Sequence, residues 1–275
     1  MNFSRRKWLA RAAVYGTGVG ATSYAGVIEK RWLDVTHTEI PLAPKHSVLA
    51  GIKIAVVGDF HHDDFGDHYL IRRAVNAINE EKVDLVYLVG DYISRHATAV
   101  VPLCEELVNL RSTLGTFGVM GNHDSRHDPS FILATLKEIG VRMLVNGTHE
   151  FEHFTLAGMA SCSRGIPVLP KILTGLDPDK PVIMGWHEPD TFDLYSDPRI
   201  VLQVSGHTHG GQIRAPFYGP LVLPKFGRTY PYGLYQNESS ALFVTRGIGT
   251  LTLPIRFLCP PEVAILKFTL PRESL

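Results

Sequence analysis

The sequence predicts an α/β fold: two packed, largely mixed sheets with helices on their outer faces. Three observations carry this reading. Five short apolar runs each end in a glycine that is followed within three residues by a carboxylate, amide or imidazole. In the first half these runs alternate with amphipathic helical stretches, and the second half is richer in strand-like segments. No repeat, low-complexity tract or long linker divides the chain, and 275 residues with 45% hydrophobic content can bury a substantial core.

The elements follow in order. Ile52 to Val57 is a β-branched run stopped by Gly58 and followed by Asp59 and His61. The loop holding His62, Asp63, Asp64, Asp67 and His68 reads as solvated. After it, Ile71, Ala74, Val75 and Ile78 recur at helical spacing. Val83 to Val89 repeats the plan before Gly90 and Asp91, and Leu103, Cys104, Leu107 and Val108 suggest the next helix. A third run ends at Gly121 and delivers Asn122, His123 and Asp124. Asp128 and Pro129 then read as N-cap and first helical residue, Ile132, Leu136 and Ile139 as an apolar stripe, and Gly140 as the stop. Phe154 to Met159 is a strand candidate. Val182 to Met184 stops at Gly185 ahead of His187 and Glu188, and the run from Val201 stops at Gly206 ahead of His207 and His209. Ala241 to Thr245 and Val263 to Phe268 are the last strand candidates.

A lone His207 and His209 pair would read as an incidental glycine-rich turn. Five equivalent placements make a different argument, because ligands of α/β sheets gather beyond the carboxyl ends of the strands. Asp59, His61, Asp91, Asn122, His123, His187, His207 and His209 are therefore expected to converge. Burying that much polarity without a counter-charge would cost roughly several kcal/mol per group. A pair of divalent cations removes the cost.

The ordered motifs DxH (Asp59, His61), GD (Gly90, Asp91), GNHD (Gly121 to Asp124), a single His187 and GHTH (Gly206 to His209) resemble those of the calcineurin-like metallophosphoesterases. The resemblance extends to a bacterial subgroup, often exported or membrane-attached, through "HEPDTFD", "SGHTHGGQIRAPFYGPLVLP", "TRGIGT" and "PIRFLCPPEVAIL". It covers nearly the whole chain after about Leu33. Gly58 departs from it, since many members carry serine there. What the resemblance implies is a four-layer sandwich with the metal site at the carboxyl ends of the strands. Asp59, His61 and His209 would hold one ion, Asn122, His187 and His207 the other, and Asp91 would bridge them. His123 would lie over the reacting phosphate, oriented by Asp124, as the catalytic pair. Two divalent ions clamp a phosphate and lower the pKa of a shared water. Oxygen and nitrogen donors without thiolate rank manganese and iron first and zinc next. Arg126, Arg214 and Arg246 are candidate phosphate contacts, with structural ion pairs as the alternative for the last two.

The implied activity is hydrolysis of a phosphodiester or phosphomonoester on an envelope-associated substrate, with a lipid-linked one among the candidates. The alternatives are UDP-2,3-diacylglucosamine pyrophosphate hydrolysis in lipid A synthesis, known among relatives, and a non-catalytic scaffold on the same fold. Balanced charge, 27 basic against 27 acidic residues, gives no reason to expect nucleic-acid binding. Cys104, Cys162 and Cys259 are odd in number and lack zinc-like spacing, which argues against a disulfide framework. "SRRKWLARAAVYGTGVGATSYAGV" resembles a twin-arginine export signal, with Arg5 and Arg6 adjacent. Residues 1–32 are thus expected to be a signal or membrane anchor read by the twin-arginine translocase, and residues 33–275 a single domain. The domain would face the periplasm or the outer side of the cytoplasmic membrane, released or still anchored.

Overall fold

The computed structural model describes residues 23–63 and 66–270. One sheet has the order β1 (Asp34–Pro41), β14 (Glu262–Thr269), β2 (Lys53–Val57), β3 (Leu85–Leu88), β4 (Gly115–Gly118) and β5 (Arg142–Met143). β2 through β5 are parallel; β14 runs antiparallel to β2 and parallel to β1. The other sheet has the order β12 (Gly233–Gln236), β13 (Ala241–Val244), β9 (Ile200–Ser205), β8 (Val182–Gly185), β7 (Thr155–Gly158) and β6 (Gly147–Glu150). Its four inner strands are parallel and its two edges antiparallel. A small hairpin pairs β10 (Arg214–Ala215) with β11 (Gly219–Pro220).

The inner strands are apolar on both faces because each face meets a different core. Ile54 and Val56 of β2 and Leu85 and Tyr87 of β3 point between the sheets, against Leu156, Ile183, Leu202 and Phe243. Their neighbours Ala55, Val57, Val86 and Leu88 point outward to helices α1 (His68–Glu80), α2 (Val100–Leu107) and α3 (Pro129–Glu138). On the far face, Ala157, Val182 and Met184 pack against Leu169 and Ile172 of α4 (Leu169–Thr174). The result is four layers, helix, sheet, sheet, helix. The Tyr87 hydroxyl ties the two sheets together, donating to the Ala157 carbonyl at 2.7 Å and accepting from the Gly185 amide at 3.1 Å.

The helices follow the sequence. Leu70, Ile71, Ala74, Val75 and Ile78 are the buried stripe of α1, capped by Asp67 accepting from the Leu70 amide. Asp128 caps α3 by accepting from the Phe131 amide, Pro129 opens the helix, and Gly140 follows it at φ 85°. Two expectations are corrected. α2 ends at Leu107, so Val108 leaves the apolar stripe and is exposed. His62 is buried rather than solvated, with Nδ1 against the Ala99 carbonyl at 3.0 Å.

Residues 24–31 fall on the N-terminal side of the expected boundary, yet they pack on the folded body. The Ala25 carbonyl accepts from the Arg256 amide at 3.0 Å, and the buried Glu29 carboxylate accepts from the Cys259 amide. Arg5 and Arg6 lie outside the described residues. Among the described residues no helix is long and apolar enough to cross a membrane. All three cysteines are free.

Candidate metal and catalytic site

Parallel pairing places the ends of β2, β3 and β4 along one edge of the first sheet, and the ends of β8 and β9 along one edge of the second. The two edges meet. The His207 amide, just past β9, donates to the Asp59 carboxylate, just past β2, at 2.9 Å. At these ends the chain turns sharply: Asp59, His61, Asp91, His207 and His209 all have φ between 45° and 73°. Left-handed backbone is uncommon for residues with a Cβ and concentrates at functional sites. Here it is held by the Asp59 amide on the Gly90 carbonyl at 2.8 Å and the His61 amide on the Asp91 carbonyl at 3.1 Å.

Close approach also explains two glycines. A Cβ on Gly121 would stand 2.0 Å from Asp91 Oδ1, so no other residue fits beneath that carboxylate. A Cβ on Gly58, the position where the family resemblance expects serine in many members, would stand 2.6 Å from Val89 Cγ2. The departure at Gly58 is matched by the side chain of Val89.

Ligand atoms of Asp59, His61 and His209 lie within 4.8 Å of one another, and those of Asp91, His187 and His207 do the same. Asp91 stands between the groups, with Oδ2 3.4 Å from His61 Nε2 and 3.2 Å from His187 Nε2. Asn122 lines the same cavity as Asp91 and His207. The structure therefore brings together all seven residues expected as ligands.

The donors fit divalent cations on a test independent of spacing. Both ring nitrogens of His61 and of His209, Nε2 of His187 and Oδ1 of Asn122 are buried with no hydrogen-bond partner. Buried polar atoms are rarely left so, and a cation satisfies them together. The second nitrogens are fixed where they need to be. His187 Nδ1 donates to the Val89 carbonyl at 2.7 Å, leaving Nε2 as the ligand atom, and His207 Nε2 donates to the Lys225 carbonyl at 2.8 Å, leaving Nδ1.

Electrostatics agree. Burial pushes the Asp59 carboxyl up to about 7 and His61 down to about 3. Burial opposes ionisation of Asp91, but the neighbouring His187, His61 and His123 hold it below the carboxylate range. Burial also opposes the charged form of His187, yet Asp91 and Asp59 raise it well above the ordinary range. His187 Nε2 and the Asp91 carboxylate, 3.2 Å apart, thus favour opposite charges in the absence of a cation.

His123 is half-buried beside this cluster, its ring edge-on to His61 with centroids 4.8 Å apart. The expected orientation by Asp124 is corrected. His123 Nδ1 meets the Ser94 carbonyl at 3.0 Å. Asp124 is fully buried and accepts from the amides of Tyr92 at 2.8 Å and Gly121 at 2.9 Å. It holds the loops that carry Asp91 and Asn122, and the carbonyl of Ser94 aims the imidazole. Among the arginines, Arg246 pairs with Asp34 at 2.8 Å and Glu262 at 3.0 Å. Arg214 donates to the Gly210 carbonyl and lies over the Tyr232 ring, and Arg126 is exposed.

Sequence reasoning missed Arg256 and Glu29. The fully buried Arg256 guanidinium donates to the carbonyls of Gly249, Cys259, Arg246 and Gly247. The loop it gathers supports a ligand, because the Gly249 amide donates to the Asp59 carbonyl at 2.7 Å. Cys259, whose amide is held by Glu29, donates through its Sγ–H to the His209 carbonyl at 3.2 Å. The only available signal was their place in otherwise apolar or tail-like sequence.

Comparison with known proteins places this geometry. The sequence pattern of calcineurin-like phosphoesterases matches residues 52–211, the span from β2 through the GHTH turn. The chain is 33% identical over 283 residues to the metallophosphoesterase YkuE of Bacillus subtilis, covering 97% of each protein. It is 29% identical over 273 residues to the phosphodiesterase YaeI of Escherichia coli, covering 96% of this chain and 98% of that one. A metallophosphoesterase of Helicobacter pylori is 32% identical over 81% of this chain and 61% of its own length. Four layers, paired clusters of donors at one sheet edge and a family match spanning all of those donors agree, and the chain belongs to the calcineurin-like phosphoesterase family.

Proposed function

We propose that the protein is a two-metal phosphoesterase that hydrolyses a phosphodiester or phosphomonoester of the cell envelope. The observation that carries this is the set of buried, unpartnered imidazole and amide atoms gathered around Asp91. Asp59, His61 and His209 would hold one ion, Asn122, His187 and His207 the other, and Asp91 both, with manganese or iron preferred and zinc next. Bound there, the ions supply positive charge to the phosphate oxygens and lower the pKa of water. The protein's own part is to keep His187 and His207 in one tautomer through Val89 and Lys225, and to hold Asp91 ionised through its imidazole neighbours. His123, with Nδ1–H donating to the Ser94 carbonyl, offers Nε2 to the phosphate or to the departing oxygen. Water attacks phosphorus without a covalent enzyme intermediate.

The twin arginines support delivery of the folded, metal-loaded chain by the twin-arginine translocase. The site would then work in the periplasm or on the outer face of the cytoplasmic membrane, and nucleic acid is not an expected partner. The test is hydrolysis by the metal-reconstituted chain of bis-p-nitrophenyl phosphate, p-nitrophenyl phosphate and UDP-2,3-diacylglucosamine, with His123→Ala as control. Turnover of the simple esters that collapses in the variant supports the proposal. Strong preference for the nucleotide lipid would replace it with the lipid A reaction, and inactivity of the two-metal protein against a broad ester panel would favour a scaffold.

A further inference from the structure

The candidate reaction centre lies where two cavities of unlike character meet. One, of about 800 Å³, runs from His61 and His123 to Lys30 and Arg95, with Asp63 in its wall and Arg31 paired to Asp67 at 2.6 Å. The other, of about 540 Å³, opens from Asp91, Asn122 and His123 and is walled by Ile213, Leu221, Val222 and Pro224. His123 lines both, and Leu251 to Leu253 form the ridge between them. A phosphorus atom at the junction therefore has a polar, mixed-charge cavity on one side and an apolar groove on the other. A phosphomonoester has one substituent and would leave one of them unused; a diester with two unlike arms would fill both.

Apolar surface also continues from the groove to solvent. Leu221 donates its amide to the Ile213 carbonyl at 3.1 Å, which closes the base of the β10 and β11 hairpin at the groove wall. At the tip of that hairpin Phe217 and Tyr218 are fully and largely exposed, and Leu221, Val222 and Leu253 are exposed beside the groove. Aromatic rings projecting from a tip beside exposed aliphatic side chains match the chemistry of a bilayer interface, where the apolar ring body is buried and polar ends stay wet. Arg214 and Lys225, within the same segment, add positive charge that complements anionic lipid headgroups.

We propose that the substrate is a lipid phosphodiester taken from a membrane surface, its apolar arm lying in the Ile213 to Val222 groove and its hydroxyl-rich headgroup reaching Lys30 and Arg95 in the polar cavity. This rests on the phosphoesterase reading and adds to it the class of both arms. In the reaction a water oxygen bonds to phosphorus and one ester P–O bond breaks, its electron pair staying on the departing oxygen. That oxygen takes a proton and leaves as an alcohol, and a phosphomonoester remains.

The test compares three substrates on the manganese-loaded full chain: dihexanoyl phosphatidylglycerol below its micelle threshold, its deacylated form glycerophosphoglycerol, and bis-p-nitrophenyl phosphate. Each buried methylene strengthens binding roughly fourfold, so a partly open groove should give the acylated diester at least a roughly thirtyfold advantage in kcat/KM over the deacylated one. Val222→Asp should cut that advantage about tenfold. Arg95→Glu should raise KM for the phosphatidylglycerol more than it lowers kcat. Phe217→Ser should weaken co-sedimentation with vesicles of phosphatidylglycerol and phosphatidylethanolamine, a readout that does not depend on turnover. Equal kcat/KM for acylated and deacylated diesters, with bis-p-nitrophenyl phosphate still hydrolysed, would overturn the lipid assignment and leave the phosphoesterase standing. Failure of all three diesters with metal bound, while p-nitrophenyl phosphate is hydrolysed, would overturn the lipid assignment alone, and failure of p-nitrophenyl phosphate as well would overturn both.

Discussion

At the scale of single residues, the site is built from side chains whose second polar atom is already committed. The Ser94 carbonyl holds His123 through Nδ1, and although the ring also lies near ligand atoms of His61 and Asp91, the His123→Ala protein should keep its metal content while turnover falls by about two to four powers of ten. Elemental analysis showing lost metal would instead make His123 a ligand. Asp91 reaches both His61 and His187, so Asp91→Asn should weaken both ions together; a protein that loses one ion and keeps the other would contradict the bridging role. The pH dependence of loading follows from the same carboxylates. Burial raises Asp59 to about 7, and His187 is also raised, so below that pH both hold protons that a cation must displace. Metal affinity of the empty site should therefore rise as pH increases through about 7, and calorimetry in buffers of different ionisation heat should register proton release. The residues that converge at the site were legible in the sequence because each follows a glycine at a strand end. Ser94 was not, because a backbone carbonyl carries no residue-type signature.

At the scale of elements, the inner strands and the three long helices matched their apolar patterns within a residue or two at most ends, and the edge strands escaped notice. β1, β6 and β12 are half-exposed and carry His37, Glu39, His149 and Gln236, so neither a continuous apolar run nor a clean alternation marks them. The short turns at residues 24–31 escaped for another reason: their apolar content reads as signal or anchor. Glu29 makes them part of the fold by capping the Cys259 amide from a buried position. Glu29→Ala would leave that amide unpaired and should cost about 1–3 kcal/mol in denaturant unfolding. A chain beginning at Leu33 should be less stable than one beginning at Ser23 by at least as much, and equal midpoints with equal slopes would show that the segment contributes nothing.

At the scale of the whole molecule, the two sheets are joined at the site itself, through His207 on Asp59 and Arg256 beneath the Asp59 loop. Ions held across that seam bind only the folded chain, so chelation should lower Tm, and restoring free metal to about a hundred times Kd should return about 2.7 kcal/mol of stability. An unchanged Tm on chelation would place the metal away from the seam. By itself the sequence determined which runs are buried strands, where they stop and which donors follow the stops, because burial and turning are local properties of residue type and period. Only the tertiary structure decided that β1 lies along β14, that Ser94 rather than Asp124 aims His123, and that Arg256 and Glu29 support the ligand loops. Those facts depend on which backbone groups meet after the sheets close, and a carbonyl or amide from one residue looks the same in sequence as any other.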